Sequence, residues 1–185
     1  MKKGPTLTIC LLLLLSFAGC RLQRADETPP LRTTVKIIRH SDLPIAFTAK
    51  TRSSETRRFL VLINRYRARK GLRPLKIDKH LQRAAQWMSD DMAAKNYLGH
   101  RDSIGRDPFK RMAAFGYGYN TDKAENVAAG QKTADEVLQS WQSSKGHNRN
   151  MLDPHFTVIG IGFSYGKKSR YSWYWATSFG GRKSS

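Results

Sequence analysis

Three shortages narrow what this chain can be. Cysteine is nearly absent, with two in 185 residues. A disulfide-rich scaffold is therefore excluded. Acidic residues are few: 14 Asp and Glu face 33 Lys and Arg, a formal net charge of +19. Long apolar runs are missing except at the N-terminus, where Leu7 to Ala18 runs for 12 residues and includes Leu11 to Leu15. That is too short for a bilayer core of about 30 Å, which needs about 20 residues. No collagen period and no internal repeat is visible. What is present, 39% hydrophobic and 10% aromatic residues, suffices for one domain with a real core.

The N-terminal order is that of an export signal: Lys2 and Lys3, then the apolar run, then small residues. Phe17-Ala18-Gly19-Cys20 resembles a bacterial lipobox, with Phe17 in place of the usual Leu. The resemblance implies cleavage after residue 19 and lipidation of Cys20. Cys10 is then removed and no disulfide can form. Two or three acyl chains hold a protein stably in a membrane. Residues 21 to 53 carry Pro29, Pro30 and Pro44 with no helical period, and read as a tether. A flexible chain of that length spans roughly 30 Å. Val35, Ile37 and Ile38 offer an alternative edge strand.

From residue 54 the pattern is that of a folded domain. Phe59, Ile63 and Tyr66 mark one helix face, and Gly71 suits its end. Asp78 is placed to cap a second helix with the stripe Leu81, Ala84, Ala85, Met88 and Met92, a core stripe in which Met is filler. Asp107-Pro108 opens a third helix and Gly116 closes it. Thr133 to Glu136 forms a capping box ahead of Val137 and Trp141. The period then changes to two. Ile159, Ile161 and Phe163 alternate with Gly160 and Gly162, and Trp173, Trp175 and Phe179 follow after a turn. This predicts an antiparallel hairpin with one bare glycine face against which something packs closely. Helices first and strands last predict an α+β fold with helices on an antiparallel sheet.

Five histidines are candidates for chemistry. His40 sits in the tether, His80 in a first helical turn, and His155 in a turn after Asp153-Pro154. His100 and His147 each follow a glycine just beyond a helix, a loop position from which imidazoles can converge on a cleft. Ser103, Ser143, Ser144 and Ser178 are candidate nucleophiles, but no Gly-x-Ser-x-Gly elbow is present.

Four ordered segments carry a resemblance: His100-Arg-Asp-Ser, Asp107-Pro-Phe-Lys-Arg-Met, Ala124-Glu125-Asn126-Val127-Ala128-Ala129-Gly130, and Trp141 through Gly146-His147-Asn-Arg-Asn-Met-Leu152. With Trp175-Ala-Thr-Ser-Phe179-Gly180, they resemble the CAP superfamily of cysteine-rich secretory, antigen 5 and pathogenesis-related 1 proteins, bacterial branch. The resemblance covers residues 55 to 181. It implies a three-layer α-β-α sandwich of α+β class with an antiparallel central sheet. It also implies a cleft lined by two histidines and two glutamates that binds a divalent metal in some members. His100, Glu125 and His147 match three of the four, and Ser144 stands where the fourth glutamate would be. Glu136 lies nearby, but its capping position already accounts for it.

Three uses of His100, Glu125 and His147 stay open. They form a ligand set for zinc, which could activate water for hydrolysis. Without metal, Glu125 could orient a ring while the cleft takes an anion or polar head group. Glu125 and Asn126 could also simply tie loops together. Separately, Arg65, Arg67, Arg69, Lys70, Arg73 and Lys76 crowd the end of the first helix. They suit anionic lipid or an acidic envelope polymer; in an exported protein nucleic acid is not the expected partner. The expected molecule is a monomeric, lipid-anchored protein facing the periplasm or cell surface. It is a non-enzymatic binding module, with a metal-dependent hydrolase and a surface module with a vestigial cleft as alternatives.

Overall fold

The computed structural model describes residues 47–181. The export signal, Cys20, the strand alternative at Val35 to Ile38 and His40 lie outside these residues. The ordered domain begins earlier than residue 54. Phe47 is fully buried, its ring against Phe163 at 5.2 Å and Trp173 at 5.5 Å. Thr48 caps α1 (Ala49–Ala68), its side chain accepting from the Thr51 amide. The tether reading stretched to residue 53 because the polar run 50–57 shows no apolar period, and propensity alone does not reveal it as the helix's first two turns.

The remaining elements are β1 (Lys76–Ile77), α2 (Lys79–Lys95), α3 (Pro108–Ala114), β2 (Lys123–Ala129), α4 (Ala134–Ser143), α5 (Lys145–Leu152), β3 (Val158–Tyr165) and β4 (Trp173–Gly180). The local caps act as their sequences require. Asp78 accepts from His80 and Leu81 amides, Asp107 from Lys110, and Thr133 from Glu136. Gly116 ends α3 at φ +99°, a conformation costly to any residue with a Cβ.

The sheet order is β1-β3-β4-β2. It is mixed, not antiparallel: β2, β4 and β3 run antiparallel, but β1 pairs parallel with β3. The reason is the connection. The chain passes from β1 into helical layers before returning as β3, and a crossover of that length permits parallel pairing. One face, with Ile159, Ile161, Phe163, Trp175 and Phe179, packs on Phe59 and Ile63 of α1 and Val137 and Trp141 of α4. The other face lies under α2 and contributes Val127, Tyr174 and Ala176 to a cluster with Ala85, Met88 and Met92. The bare glycine face is where α2 sits. A Cβ on Gly160 would lie 2.0 Å from the Leu81 carbonyl carbon, and one on Gly162 would lie 2.2 Å from the Ala85 oxygen. The three layers are thus α-β-α, with the helix backbone seated directly on the strand.

Side chains close both edges of the sheet. β1 covers only the start of β3. Beyond it, Gln82 bonds Ile161 on both its N–H and its carbonyl, at 3.0 and 2.6 Å, and Gln86 accepts from the Phe163 amide at 3.3 Å. On the β2 edge, the Glu125 carbonyl accepts from Asn150 at 3.3 Å and the Val127 carbonyl from Trp141 at 3.4 Å. Backbone groups satisfied in this way are withdrawn from pairing with an added strand.

Candidate functional site

The site lies along the β2 edge. Successive residues of a strand point to opposite faces. Glu125 reaches the α2–α3 side and Asn126 the α4–α5 side. Each holds one histidine-bearing segment. Glu125 Oε1 is 3.0 Å from His100 Nδ1, and Asn126 Nδ2 donates to the His147 carbonyl at 3.1 Å. Asn150 Nδ2 adds a bond to Asn126 Oδ1 at 2.9 Å. His147 is not on a loop. It lies in the first turn of α5, where Ser144 ends α4 and begins the next helix. The segment hid its helix because only Met151 of its eight residues is buried, leaving no apolar stripe.

The organising residue is Arg111, which the sequence reading passed over. Its side chain is wholly buried, as are those of its two carboxylate partners. Nη2 pairs with Glu125 Oε2. Nη1 donates to the His100 carbonyl at 3.2 Å and lies 3.6 Å from Asp102 Oδ2. Asp102 in turn takes the Arg106 side chain and amide, each at 2.8 Å. Asp91 ties the same loop to α2, accepting from the Ser103 amide at 2.8 Å and hydroxyl at 2.5 Å. The legible signal was a cation at an inward position of α3, next to buried Met112.

His100 keeps a half-exposed side chain. His147 is half-buried, and burial holds its imidazole below the ordinary histidine pKa, with the neighbouring His100 adding to the effect. Its ring lies 6.1 Å from that of Trp141. The two histidine-bearing segments are thus held at the β2 edge from opposite faces of the sheet.

The divalent-metal set fits poorly here. Both Glu125 oxygens are committed, one to His100 and one to a buried guanidinium. Among the described residues no three His, Cys, Asp or Glu side chains gather as a metal would need. The serine candidates do not pair with histidine. Ser103 bonds Asp91, Ser143 bonds the Gln139 carbonyl within its helix, Ser144 makes no capping bond, and the buried Ser178 hydroxyl has no partner. Glu136 Oε2 accepts from the Lys132 amide as part of its cap. His80 is less free than its first-turn position implied: Nδ1 lies 2.9 Å from the Phe115 carbonyl, joining α2 to the end of α3. His155 is exposed beside Asp153.

The basic cluster loses one member. Arg67 is fully buried, and its guanidinium donates to the carbonyls of Arg73, Met151, Asp153 and Phe156 at 2.7 to 3.1 Å. It fastens α1 to the chain between α5 and β3. Its position at i+4 from buried Ile63 placed it on the inner face, where only a guanidinium with five donors could satisfy four carbonyls. Arg65, Arg69, Lys70, Arg73 and Lys76 are exposed.

A family model, the cysteine-rich secretory protein family (CAP), matches residues 60–179. The uncharacterised protein YkwD of Bacillus subtilis (strain 168) is 42% identical over 111 residues, which is 60% of this chain and 43% of that protein. The chain therefore spans less than half of that relative's length. An extracellular protein containing an SCP domain from Bacillus anthracis superposes with a TM-score of 0.62 at 26% identity, over 71% of this chain and 41% of that one. An outer surface protein of Borrelia burgdorferi shares the fold, with a TM-score of 0.64 at 20% identity over 70% of this chain and 94% of that one.

Proposed function

This chain belongs to the cysteine-rich secretory protein (CAP) family, and from that premise we propose that it is an exported, lipid-anchored, non-enzymatic binding module. Its cleft at His100 and His147 takes a polar or anionic group of a lipid or envelope component. Export is supported by the N-terminal charge and apolar run, and by similarity to proteins described as extracellular or outer surface. Among the described residues no helix is long and apolar enough to cross a membrane. The lipid anchor on Cys20 is supported by the lipobox-like Phe17-Ala18-Gly19-Cys20.

The observation that carries the non-enzymatic reading is the state of Glu125. A general base or a metal ligand works best as an accessible carboxylate whose charge is not already compensated. Each Glu125 oxygen already accepts from a partner, its side chain is 1% exposed, and the buried Arg111 neutralises its charge. What stays available is the half-exposed His100 ring and the half-buried His147 ring, and an imidazole N–H can donate to an anionic oxygen.

The test uses the purified full chain with two probes. Zinc is titrated by calorimetry, and dihexanoyl phosphatidylglycerol, below its micellar concentration, is followed by histidine side-chain NMR. The expected result is no stoichiometric zinc binding, with His100 and His147 resonances moving together on lipid addition, and no such response in His147→Ala. Stoichiometric zinc binding that is lost in both His100→Ala and His147→Ala would overturn the reading and restore the hydrolase.

A further inference from the structure

We propose that the exposed basic end of α1, continued onto α5, docks the domain on the anionic surface of the membrane that holds it, an inference resting on the anchor proposed above. Residues 56 to 77 hold eight Lys and Arg and no acidic residue. Arg67 is internal, and Arg58 is paired with Asp135. The other six, Arg57, Arg65, Arg69, Lys70, Arg73 and Lys76, are exposed, and none is ion-paired among the described residues.

Their placement works against stability. Arg57, Val61, Arg65 and Arg69 follow at four-residue steps along one exposed helix face, so Arg65 and Arg69 repel. The dipole at the end of α1 accommodates cations in its last turn only, and so explains neither Arg57 nor Lys76. The surface extends across the fold. The Arg69 guanidinium lies over the Tyr66 ring at 5.7 Å, and the Tyr66 hydroxyl donates to Asn148 of α5 at 2.9 Å. That helix adds exposed Lys145 and Arg149. The one acidic residue of the adjoining turn, Asp153, is engaged by His155 at 3.0 Å. Val61 and Ile77, 45% and 47% exposed, lie among these cations. Basic residues with interspersed apolar ones are the composition of a lipid-surface contact.

A bilayer is favoured over a soluble polymer by the chain's own connection. Residues 21–46 separate Cys20 from Phe47, and a flexible tether of that length would span about 28 Å. The 20 residues of α1 extend about 30 Å from that attachment. Docking is thus an intramolecular step at high effective concentration.

The test reconstitutes the full chain, purified from membranes, into phosphatidylcholine vesicles with or without phosphatidylglycerol. Energy transfer from the chain's tryptophans to a dansyl-labelled lipid reports docking, and flotation reports anchoring. Flotation with both vesicle types in high salt is expected, with greater transfer on anionic vesicles that high salt abolishes. The triple variant Arg65→Gln, Arg69→Gln, Lys70→Gln should lower the docked-to-undocked ratio roughly a hundredfold, about fivefold per cation. Lys167→Gln with Lys168→Gln, in the turn between β3 and β4, should leave it unchanged. Equal transfer on both vesicle types would overturn docking. So would an equal loss in the control pair, or pelleting with an acidic wall polymer in place of lipid-dependent transfer. Failure to float with neutral vesicles would sink the anchor alone. Flotation with anionic vesicles that the triple variant abolishes would then still support docking, and no flotation with either would overturn it.

Discussion

Replacing Arg111 with Met tests whether the site at the β2 edge is held by a buried ion network. Met matches the length and apolar stem but removes the charge. It leaves Glu125, whose side chain is 1% exposed, with no guanidinium. Asp102 keeps Arg106 at 2.8 Å, so the orphaned charge is chiefly that of Glu125. Removing one partner of a buried pair costs about 3–5 kcal/mol, because the remaining charge is desolvated without compensation. For a domain of this size that corresponds to a fall in Tm on the order of 10–15 °C. The assay is urea denaturation at neutral pH, followed by circular dichroism. The double variant Arg111→Met, Glu125→Gln removes both charges and should recover most of the loss, to within about 2 kcal/mol of the parent. A single variant losing less than about 1 kcal/mol, or a double variant as unstable as the sum of its singles, would refute this account.

Two further outcomes follow from the same geometry. Gly160→Ala must push α2 away by about 1.4 Å to reach ordinary contact, and should cost about 3 kcal/mol or more, read as a shifted denaturation midpoint; a change under about 0.5 kcal/mol would contradict the close seating of α2. For His147 the folded pKa is depressed, so the unfolded chain takes up the proton first. Its contribution is therefore fully present above about pH 6.5 and lost as pH falls through the folded value. His147→Gln should flatten the fall in stability between about pH 7 and pH 5, and an unchanged slope would count against it.

Local signals were legible wherever cause and effect lie within a few residues. Asp78, Asp107-Pro108 and Thr133 name three helix starts because a cap bonds amides two or three positions ahead. The alternation from Ile159 to Phe163 marks a strand, and the glycines between them announce a close neighbour. The order of motifs brought out His100, Glu125 and His147. Elements with no such pattern were invisible. β2 mixes small apolar and polar residues with no period of two, and is buried on both faces, so it shows no apolar face. α5 has a single buried side chain.

Which partner a charged residue finds is a different kind of question. Arg67 and Arg65 are two residues apart in one basic cluster, yet one satisfies four carbonyls in the interior and the other faces solvent. Arg111 was one arginine among many until α3 laid it against β2. The direction of β1 was likewise decided by where the helical layers returned the chain. The sequence by itself determined three helix starts, the strand pair and the glycine seat for α2, because short-range sterics and periodicity encode them. Only the tertiary structure decided that Glu125 is neutralised from within and that Arg67 is a fastening rather than a surface charge. Both depend on segments far apart in the chain meeting in a place from which water has been removed.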